Sequence, residues 1–203
     1  WGAIAGTIPD LDVITRFFVD DVSAAELHRG FSHSIMFSLI FAPIFGWLLS
    51  KLYAKKQESD FKGWSWLMFW AFFTHPLLDC HTTWGTQLFW PLEYRVAYNN
   101  IFVADPIYTV PFLICVILVL FFKRTNPKRR WINNFGLIWS SAYMILTLCF
   151  KWFAFEKFED NLEEKNIEYT EMMTKPTPLN SLLWMANVKT DSVPLVGYYS
   201  LLD

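Results

Sequence analysis

Four long apolar blocks, separated by short polar stretches, dominate the first three quarters of the chain. Each block holds few charges and lacks the polar stripe that a helix of a soluble all-helical protein, the alternative interpretation, would show. About 20 mostly apolar residues cross a bilayer core, and tryptophans crowd the ends of these blocks, as they do at membrane interfaces. We therefore predict an all-α integral membrane helix bundle of about four to five spans, with helices at Ile35–Tyr53, Trp64–Leu78, Ile107–Phe122 and Phe135–Phe155.

The pattern changes after residue 155. The tail is charged at first, is then interrupted by Pro176 and Pro178, and ends in VPLVGYYSLLD, which resembles strand sequence with a turn at Gly197. We predict a transmembrane helical domain over residues 1–155 and a small extra-membrane segment, containing β structure, over residues 156–203. The opening WGAIAGTI is typical of the last turns of a helix, so we expect the natural start of the chain to lie upstream.

Basic residues in two connections predict the orientation of the bundle. The connections after the first and third apolar blocks lie on one side if the chain alternates across the membrane, and the positive-inside rule makes that side cytoplasmic. The external side then receives the tail and residues 9–34 and 79–106. These stretches contain His28, His33 and His81, and His75 lies in the last turns of the second predicted span, just before residue 79. The basic residues are Lys51, Lys55, Lys56 and Lys62 in one connection and Lys123, Arg124, Lys128, Arg129 and Arg130 in the other.

Composition excludes some partners and sites. The net charge of -2 lacks the basic surplus of a nucleic-acid-binding protein, so we expect no nucleic-acid partner. The three cysteines are odd in number and show no CxxC spacing, which leaves neither a disulfide framework nor a cysteine-type zinc site.

Three short polar motifs on the predicted external side carry the candidate chemistry. In HPLLD, His75 and Asp79 are four residues apart and share a helix face, where they suit one divalent metal or an interhelical hydrogen bond about equally. Taken alone, PDLD is more simply a helix-ending turn, and the histidines of HRGFSHS are more simply interfacial. Together, three segments on one side favour a metal site. The candidate ligands are Asp10, Asp12, His28, His33, His75 and Asp79.

The types of these side chains narrow the choice of metal and substrate. Histidine and carboxylate without thiolate suit a divalent ion, Zn²⁺ first, with Mn²⁺ or Mg²⁺ as alternatives. Three histidines and three aspartates exceed the needs of one tetrahedral ion, so two ions are plausible. Arg29 offers a forked donor suited to phosphate. His81 is expected to point away from the face of His75, and Asp105 to cap the helix that follows it.

These motifs resemble the membrane-bound metal-dependent hydrolase family, the YdjM-like proteins. The family pattern is PDxD after an apolar helix, then HRxxTHS or HRGxTHS, then HxxxDxxTxxG. The chain matches it over about residues 1–122, with Ser32 in place of threonine as the departure in the middle motif. The resemblance implies a multi-pass bacterial inner-membrane protein and a hydrolase, more distantly similar to zinc-dependent phospholipase C and P1-type nucleases.

Motifs and resemblance together lead us to expect cleavage of a phosphoester in a lipid or lipid-linked substrate at the external face. Among the candidate ligands, Asp10 and His28 are expected either to bind metal or to support the ligands. The candidate catalytic residues are Asp10, as a general base, His28 and Arg29. The candidate substrate-binding residues are Arg29 and Ser34, at the phosphate, and Thr82 and Gly85, at the pocket wall.

Two functions from other classes compete with hydrolysis. A non-catalytic metal-binding membrane scaffold would recruit a protein partner through its tail. A transporter would use intramembrane histidine and aspartate as an ion path, although the polar groups cluster on one side instead of crossing the bilayer midplane. The partner expected of the hydrolase is membrane lipid. No oligomeric state is predicted.

Overall fold

A computed structural model of the chain describes residues 1–20, 23–24, 28–54, 60–191 and 193–203. The chain forms two compact units, Trp1–Tyr98 and Asn99–Asp203. The α-helices of the first unit are α1 (Gly2–Thr7), α2 (Ile35–Leu52) and α3 (Phe61–Asp79), and 3-10 helices occupy Pro9–Phe17 and Phe31–His33. The second unit contains α4 (Pro106–Leu120), α5 (Pro127–Glu164), β1 (Glu171–Pro176), β2 (Leu183–Lys189) and β3 (Leu195–Ser200).

Helices occupy all four apolar blocks, and polar side chains fix where they begin. Ser34 Oγ accepts a hydrogen bond from the backbone N–H of Phe37 at the start of α2, and Asp60 caps α3 in the same way. Asp105 accepts from two backbone N–H groups at the start of α4, which confirms its predicted role as an N-cap. These side chains satisfy backbone donors that have no partner within the helix.

Two helices, α2 and α5, are long and apolar enough to cross a membrane. α4 is apolar but has 15 residues, and α3 is long enough but less hydrophobic. The predicted number of four to five spans is therefore not confirmed. α5 has 38 residues and continues to Glu164, so the boundary predicted between residues 155 and 156 falls inside this helix.

In the first unit, α2 and α3 pack side by side as an antiparallel hairpin. Their core includes Phe37, Met68 and Phe72. The helices approach closely at Gly46, where a Cβ atom would lie 2.7 Å from the Cα atom of Ser65. The start of α2 and the end of α3 meet at one end of the hairpin, while Lys51 and Lys62 lie toward the other. Lys55 and Lys56 fall outside the described residues.

In the second unit, the tail forms a three-stranded antiparallel sheet in the order β1-β2-β3. One face of the sheet packs on the C-terminal half of α5, where Phe158 contacts a core built around the fully buried Trp184. This sheet confirms the β structure predicted for the tail. The turn predicted at Gly197 is wrong, because Gly197 lies inside β3 and pairs with Ala186 of β2.

Candidate metal centre

Two histidines and two aspartates converge at the end of the α2–α3 hairpin. Each offers one ligand atom, and the four atoms all lie within 4.8 Å of one another. They come from three separate segments of the first unit, as the sequence predicted, and we call them the four-residue cluster: Asp10, His33, His75 and Asp79.

Local structure brings these side chains together. Pro9 begins the first 3-10 helix and is followed at once by Asp10, while the second 3-10 helix ends at His33, just before α2. His75 and Asp79 lie one turn apart on the last turns of α3, with His75 Nε2 3.7 Å from Asp79 Oδ2. The predicted common face of this pair is therefore present.

Four of the six separations among the ligand atoms of the cluster are close to the separation expected around a tetrahedral metal ion. Ligands about 2.0–2.1 Å from a tetrahedral zinc ion are separated by about 3.3 Å, the edge of the tetrahedron. His33 Nε2 lies 3.2 Å from His75 Nε2, 3.3 Å from Asp10 Oδ1 and 3.4 Å from Asp79 Oδ2. His75 Nε2 lies 3.3 Å from Asp10 Oδ1. The donor set, imidazole nitrogen and carboxylate oxygen, also suits zinc.

One buried atom of the cluster has no hydrogen-bond partner among the described residues. This atom is Asp79 Oδ2, and the neighbouring Arg29 Nε, 3.3 Å away, is also left without one. The guanidinium of Arg29 supplies positive charge beside this buried carboxylate oxygen, although the contact is not an aligned hydrogen bond. The oxygen also lies within 4.8 Å of the other three ligand atoms, where it could bind a metal ion.

Asp12 lies beside the cluster and holds it by hydrogen bonds. Its Oδ1 atom is 2.7 Å from His28 Nδ1. Its Oδ2 atom accepts from the backbone N–H of Arg29 and from the hydroxyl of Ser32, and lies 3.3 Å from His33 Nδ1. Both oxygens therefore contact neighbouring donors, and Asp12 lies outside the four-residue cluster while contacting its member His33. The predicted role of Asp12 as a metal ligand stays a prediction.

The pairing of Asp12 with His33 shifts the pKa values of both. Burial disfavours the charged form of each, but hydrogen bonds outweigh it. The bonds from His33, from the Arg29 backbone, from His28 and from Ser32 hold the pKa of Asp12 well below its usual range. Hydrogen bonding with Asp12 and the negative charges of Asp12 and Asp79 raise the pKa of His33 to about 9.

Arg29 is buried behind the cluster. It adopts a positive φ of 61°, and its side chain lies between Asp79 and Thr82, donating from Nη1 to Thr82 Oγ1 over 2.8 Å. Thr82 Oγ1 in turn donates to the backbone carbonyl of Asp79. These contacts position Asp79, and the contact of Arg29 with phosphate stays a prediction.

The other candidate residues lie outside the four-residue cluster. His28 pairs with Asp12, and Ser34 is fully buried as the cap of α2, with its hydroxyl also donating to the carbonyl of Phe31. Gly85 has a φ of 62°, and a Cβ there would lie 2.7 Å from the carbonyl oxygen of Val96, so this turn requires glycine. Their predicted roles in binding metal or substrate stay predictions.

His81 also lies outside the four-residue cluster, as expected, and its ring packs on Tyr98 with centroids 5.1 Å apart.

Two supporting residues were not predicted from the sequence. Ser32 donates a hydrogen bond to Asp12 and lies 3.0 Å from His33 Nδ1. The family motif has threonine at this position, so the shared hydroxyl group is the sequence signal for this contact. Arg95 donates to the backbone carbonyl of His28 from both terminal nitrogens, at 3.2 Å each. No local motif marks Arg95, because 67 residues separate it from His28.

The fold and the site define a mostly helical protein in which two helices are able to cross a membrane and four residues are able to hold a metal ion. The family model described as YdjM inner membrane protein matches residues 1–158, and the chain belongs to this family. The match confirms the resemblance of the motifs and extends it beyond residue 122. No curated protein and no solved structure matches the chain, and the more distant likeness to phospholipase C and P1-type nucleases has no support.

Proposed function

We propose that the protein is a membrane-embedded metal-dependent hydrolase that cleaves a phosphoester of a lipid or lipid-linked substrate. The observation that carries this proposal is the convergence of the four-residue cluster, whose four ligand atoms all lie within 4.8 Å of one another. Catalytic zinc sites use three protein ligands and keep one position open, whereas structural sites are closed by four. Asp10 is the most exposed member, with 54% of its side chain accessible, while His33 is fully buried.

This difference in exposure divides the roles. His33, His75 and Asp79 would hold the ion, and Asp10 would stand at the open position, where its carboxylate can take a proton from an attacking water. A bound Zn²⁺ would supply Lewis-acid polarisation of a phosphoryl oxygen and a lowered pKa of water. Only one group of this kind occurs among the described residues, which favours one ion over two.

Neighbouring residues would keep the ligands in place. Asp12, on the second nitrogen of His33, would fix the orientation and tautomer of that ring, as carboxylates do for metal-bound histidines. Arg29 would hold Asp79 through the 3.3 Å ion pair between Nε and Oδ2. Because its guanidinium is buried and already engaged by Asp79 and Thr82, Arg29 acts here as a positioning residue.

Exposed apolar side chains beside the cluster support a lipid substrate. The first 3-10 helix turns Asp10 toward the histidines but leaves Leu11 and Ile14 about half exposed. Phe17, at its end, and the following residue Phe18 are each more than 80% exposed. Such residues suit the boundary between headgroups and acyl chains. With the membership in an inner-membrane family, this favours a substrate that is presented by the bilayer.

The basic connections support a multi-pass arrangement with the site on the external side. The cluster lies at one end of the α2–α3 hairpin, and Lys51 and Lys62 lie toward the other end, which the positive-inside rule makes cytoplasmic. A cysteine introduced at Asp10 would then react with a membrane-impermeant maleimide in spheroplasts. A cysteine at Lys62 would react only after lysis. The reverse pattern would contradict the proposed orientation.

The hydrolase is tested by purifying the full chain in detergent, removing metal, and reloading it with Zn²⁺, Mn²⁺ or Mg²⁺. Each form is incubated with a bacterial lipid extract, and the products are read by mass spectrometry. We expect turnover with one of these ions and none after chelation. Asp79→Asn and His75→Ala should lose metal and activity, whereas His81→Ala, a control from outside the cluster, should keep both. Full metal content and activity in the first two variants would contradict the proposal.

A second candidate function is a metal-binding scaffold that recruits a protein through its tail. The folded sheet favours it, because Val196 and Tyr198 are largely exposed on β3. The scaffold predicts bound metal without turnover. It also predicts that Tyr198→Ala removes function in the cell while Asp79→Asn does not, and the hydrolase predicts the opposite result.

A further inference from the structure

A groove of about 750 Å³ lies beside the four-residue cluster. Asp12 and Ser32, which contact Nδ1 of the cluster member His33, form part of the wall of this groove. We call it the headgroup groove; its wall also includes Thr15, Phe31, Gln87 and Trp90.

Among the residues that the structure describes, the polar lining of the headgroup groove contains one charged side chain. The rest consists of hydroxyl groups and the amide of Gln87, and the described residues of the wall include no lysine, arginine or histidine. The one charged member is Asp12, and its oxygens are already bonded to His28, Ser32 and the Arg29 backbone. In the described part of the wall, a phosphate would meet no cationic side chain, and an amine would meet a carboxylate that already accepts hydrogen bonds.

Two aromatic rings complete the wall. Phe31 and Trp90 pack edge to face with their centroids 4.9 Å apart, and 36% of each residue remains accessible. Aromatic faces next to hydroxyl and amide groups suit a ligand that has both C–H surfaces and hydroxyls, because the rings pack against the first and the polar groups hydrogen-bond to the second. Glycerol and sugars are such ligands.

We propose that the headgroup groove binds the uncharged polyol part of a phosphoester headgroup, glycerol or sugar, while the phosphate reaches the four-residue cluster. This rests on the proposed hydrolase and names its substrate class. Asp12 of the groove wall lies 3.3 Å from His33 of the cluster, so the groove and the cluster are close enough for the two parts of one short headgroup. The polyol would contact the hydroxyl, amide and aromatic groups of the groove, and the phosphate would meet the metal ion that the four-residue cluster would hold.

Binding is measured by calorimetry on the full chain in detergent, with and without Zn²⁺. The probes are four dihexanoyl lipids with the same acyl chains: phosphatidylinositol and phosphatidylglycerol, which have polyol headgroups, phosphatidylethanolamine, which has an amine, and phosphatidic acid, which has none. Inositol phosphate and glycerol phosphate, which have no acyl chains, test whether the groove binds the same headgroups in soluble ligands. A preference for the lipids over these phosphates assigns the source to the membrane; equal binding assigns it to free phosphoesters.

We expect the polyol lipids to bind about tenfold more tightly than phosphatidic acid, as two or three additional hydrogen bonds and ring contacts imply. Gln87→Leu and Trp90→Leu should each reduce binding of the polyol lipids about fivefold and leave phosphatidic acid unchanged. Trp90→Phe should retain most of the preference. Trp84→Leu, a change at an exposed residue outside the groove wall, should leave every affinity as it was.

Several results would overturn the proposal. Among these are equal affinity for phosphatidic acid and the polyol lipids, tightest binding of the amine lipid, or an unchanged preference in both Gln87→Leu and Trp90→Leu. Circular dichroism and zinc content identify any variant that fails to fold. If Trp90→Leu fails to fold, the lipid affinities of Trp90→Phe are compared with those of the parent protein instead. A polyol preference that persists without turnover and without metal would contradict the hydrolase while leaving the groove assignment intact.

Discussion

Asp12 Oδ2 lies 3.3 Å from Nδ1 of His33, the ring nitrogen opposite the one that faces His75 and the two aspartates of the cluster. The carboxylate of Asp12 thus contacts a histidine of the cluster from the side that faces away from the other ligand atoms. Support of this kind for a metal-bound histidine is worth about 10–100-fold in affinity. Asp12→Asn should therefore weaken zinc binding by about that factor without abolishing it, as measured by competition with a chromogenic chelator.

Asp20→Asn is the matched control for this change. Asp20 belongs to the same unit, its carboxylate bonds to Ser23, and it is not a member of the four-residue cluster. Its zinc affinity should equal that of the parent protein. If Asp12→Asn weakened zinc binding no more than Asp20→Asn, the supporting role of Asp12 would be wrong. A complete loss of zinc with Asp12→Asn would instead mark this residue as a ligand.

The pKa of His33 predicts how zinc binding depends on pH. In the metal-free protein this pKa is raised to about 9, so His33 is protonated at neutral pH and zinc must displace its proton. Affinity should rise up to tenfold per pH unit from pH 7 and level off near pH 9. Calorimetry in two buffers of different ionisation enthalpy should give about one proton released per zinc ion at pH 7.5.

The same pKa governs the stability of the metal-free protein. Because the folded-state value exceeds the ordinary value of 6.5, protonation of His33 stabilises the fold fully below pH 6.5, and this contribution is lost as pH rises through about 9. Zinc-loaded protein should lack this loss, since the ring is then held by the metal. Zinc binding without proton release at pH 7.5 would contradict the assignment of His33.

The sequence was informative about the site where one local pattern fixes the geometry. The i, i+4 spacing of His75 and Asp79 places both on one helix face, and Asp105 before Pro106 marks a helix start. It was less informative about which aspartate of PDLD meets the metal position. That choice depends on the 3-10 path of residues 9–17, which turns Asp10 toward His75 and Asp12 toward His28.

At two positions in the second unit, tertiary packing determined secondary structure that the local sequence pattern did not predict. Glycine is common in turns, but Gly197 lies in a strand. The ring of Phe158 in α5 packs beside it, and the absence of a side chain at this position leaves room for that ring. The apolar run ends at residue 155, yet α5 continues to Glu164. Its charged C-terminal half still carries apolar residues, and these pack against the sheet. Neither neighbour is visible in a local window of sequence.

Asp10 separates metal binding from catalysis. Its side chain is the most exposed of the four ligands, and in the proposed mechanism it accepts a proton from water. Asp10→Asn should retain most of the bound zinc, because His33, His75 and Asp79 remain, but should lower kcat by about 10²–10⁴-fold. Zinc analysis and product formation on the same sample measure both quantities. Loss of zinc in proportion to activity would show that Asp10 acts as an ordinary ligand.

The close approach of α2 and α3 predicts that the metal site depends on packing far from it. A Cβ atom at Gly46 would lie 2.7 Å from both Cα and N of Ser65, a backbone collision that neither helix relieves by rotating a side chain. Gly46→Ala should lower the free energy of unfolding by about 1–3 kcal/mol. Since the two helix ends carry His33 and Asp79, forcing the helices apart should also weaken zinc binding.

Gly6→Ala provides the control for this last change. Gly6 lies in α1, and a Cβ there meets nothing within 4 Å, so alanine should be neutral or slightly stabilising through its helix propensity. Thermal unfolding followed by circular dichroism, with and without zinc, compares the two variants. Equal melting temperatures for Gly46→Ala and Gly6→Ala would mean that the α2–α3 contact does not set the separation of the ligands. A lower melting temperature for Gly46→Ala, together with weaker zinc binding, would tie the geometry of the site to the hairpin that carries it.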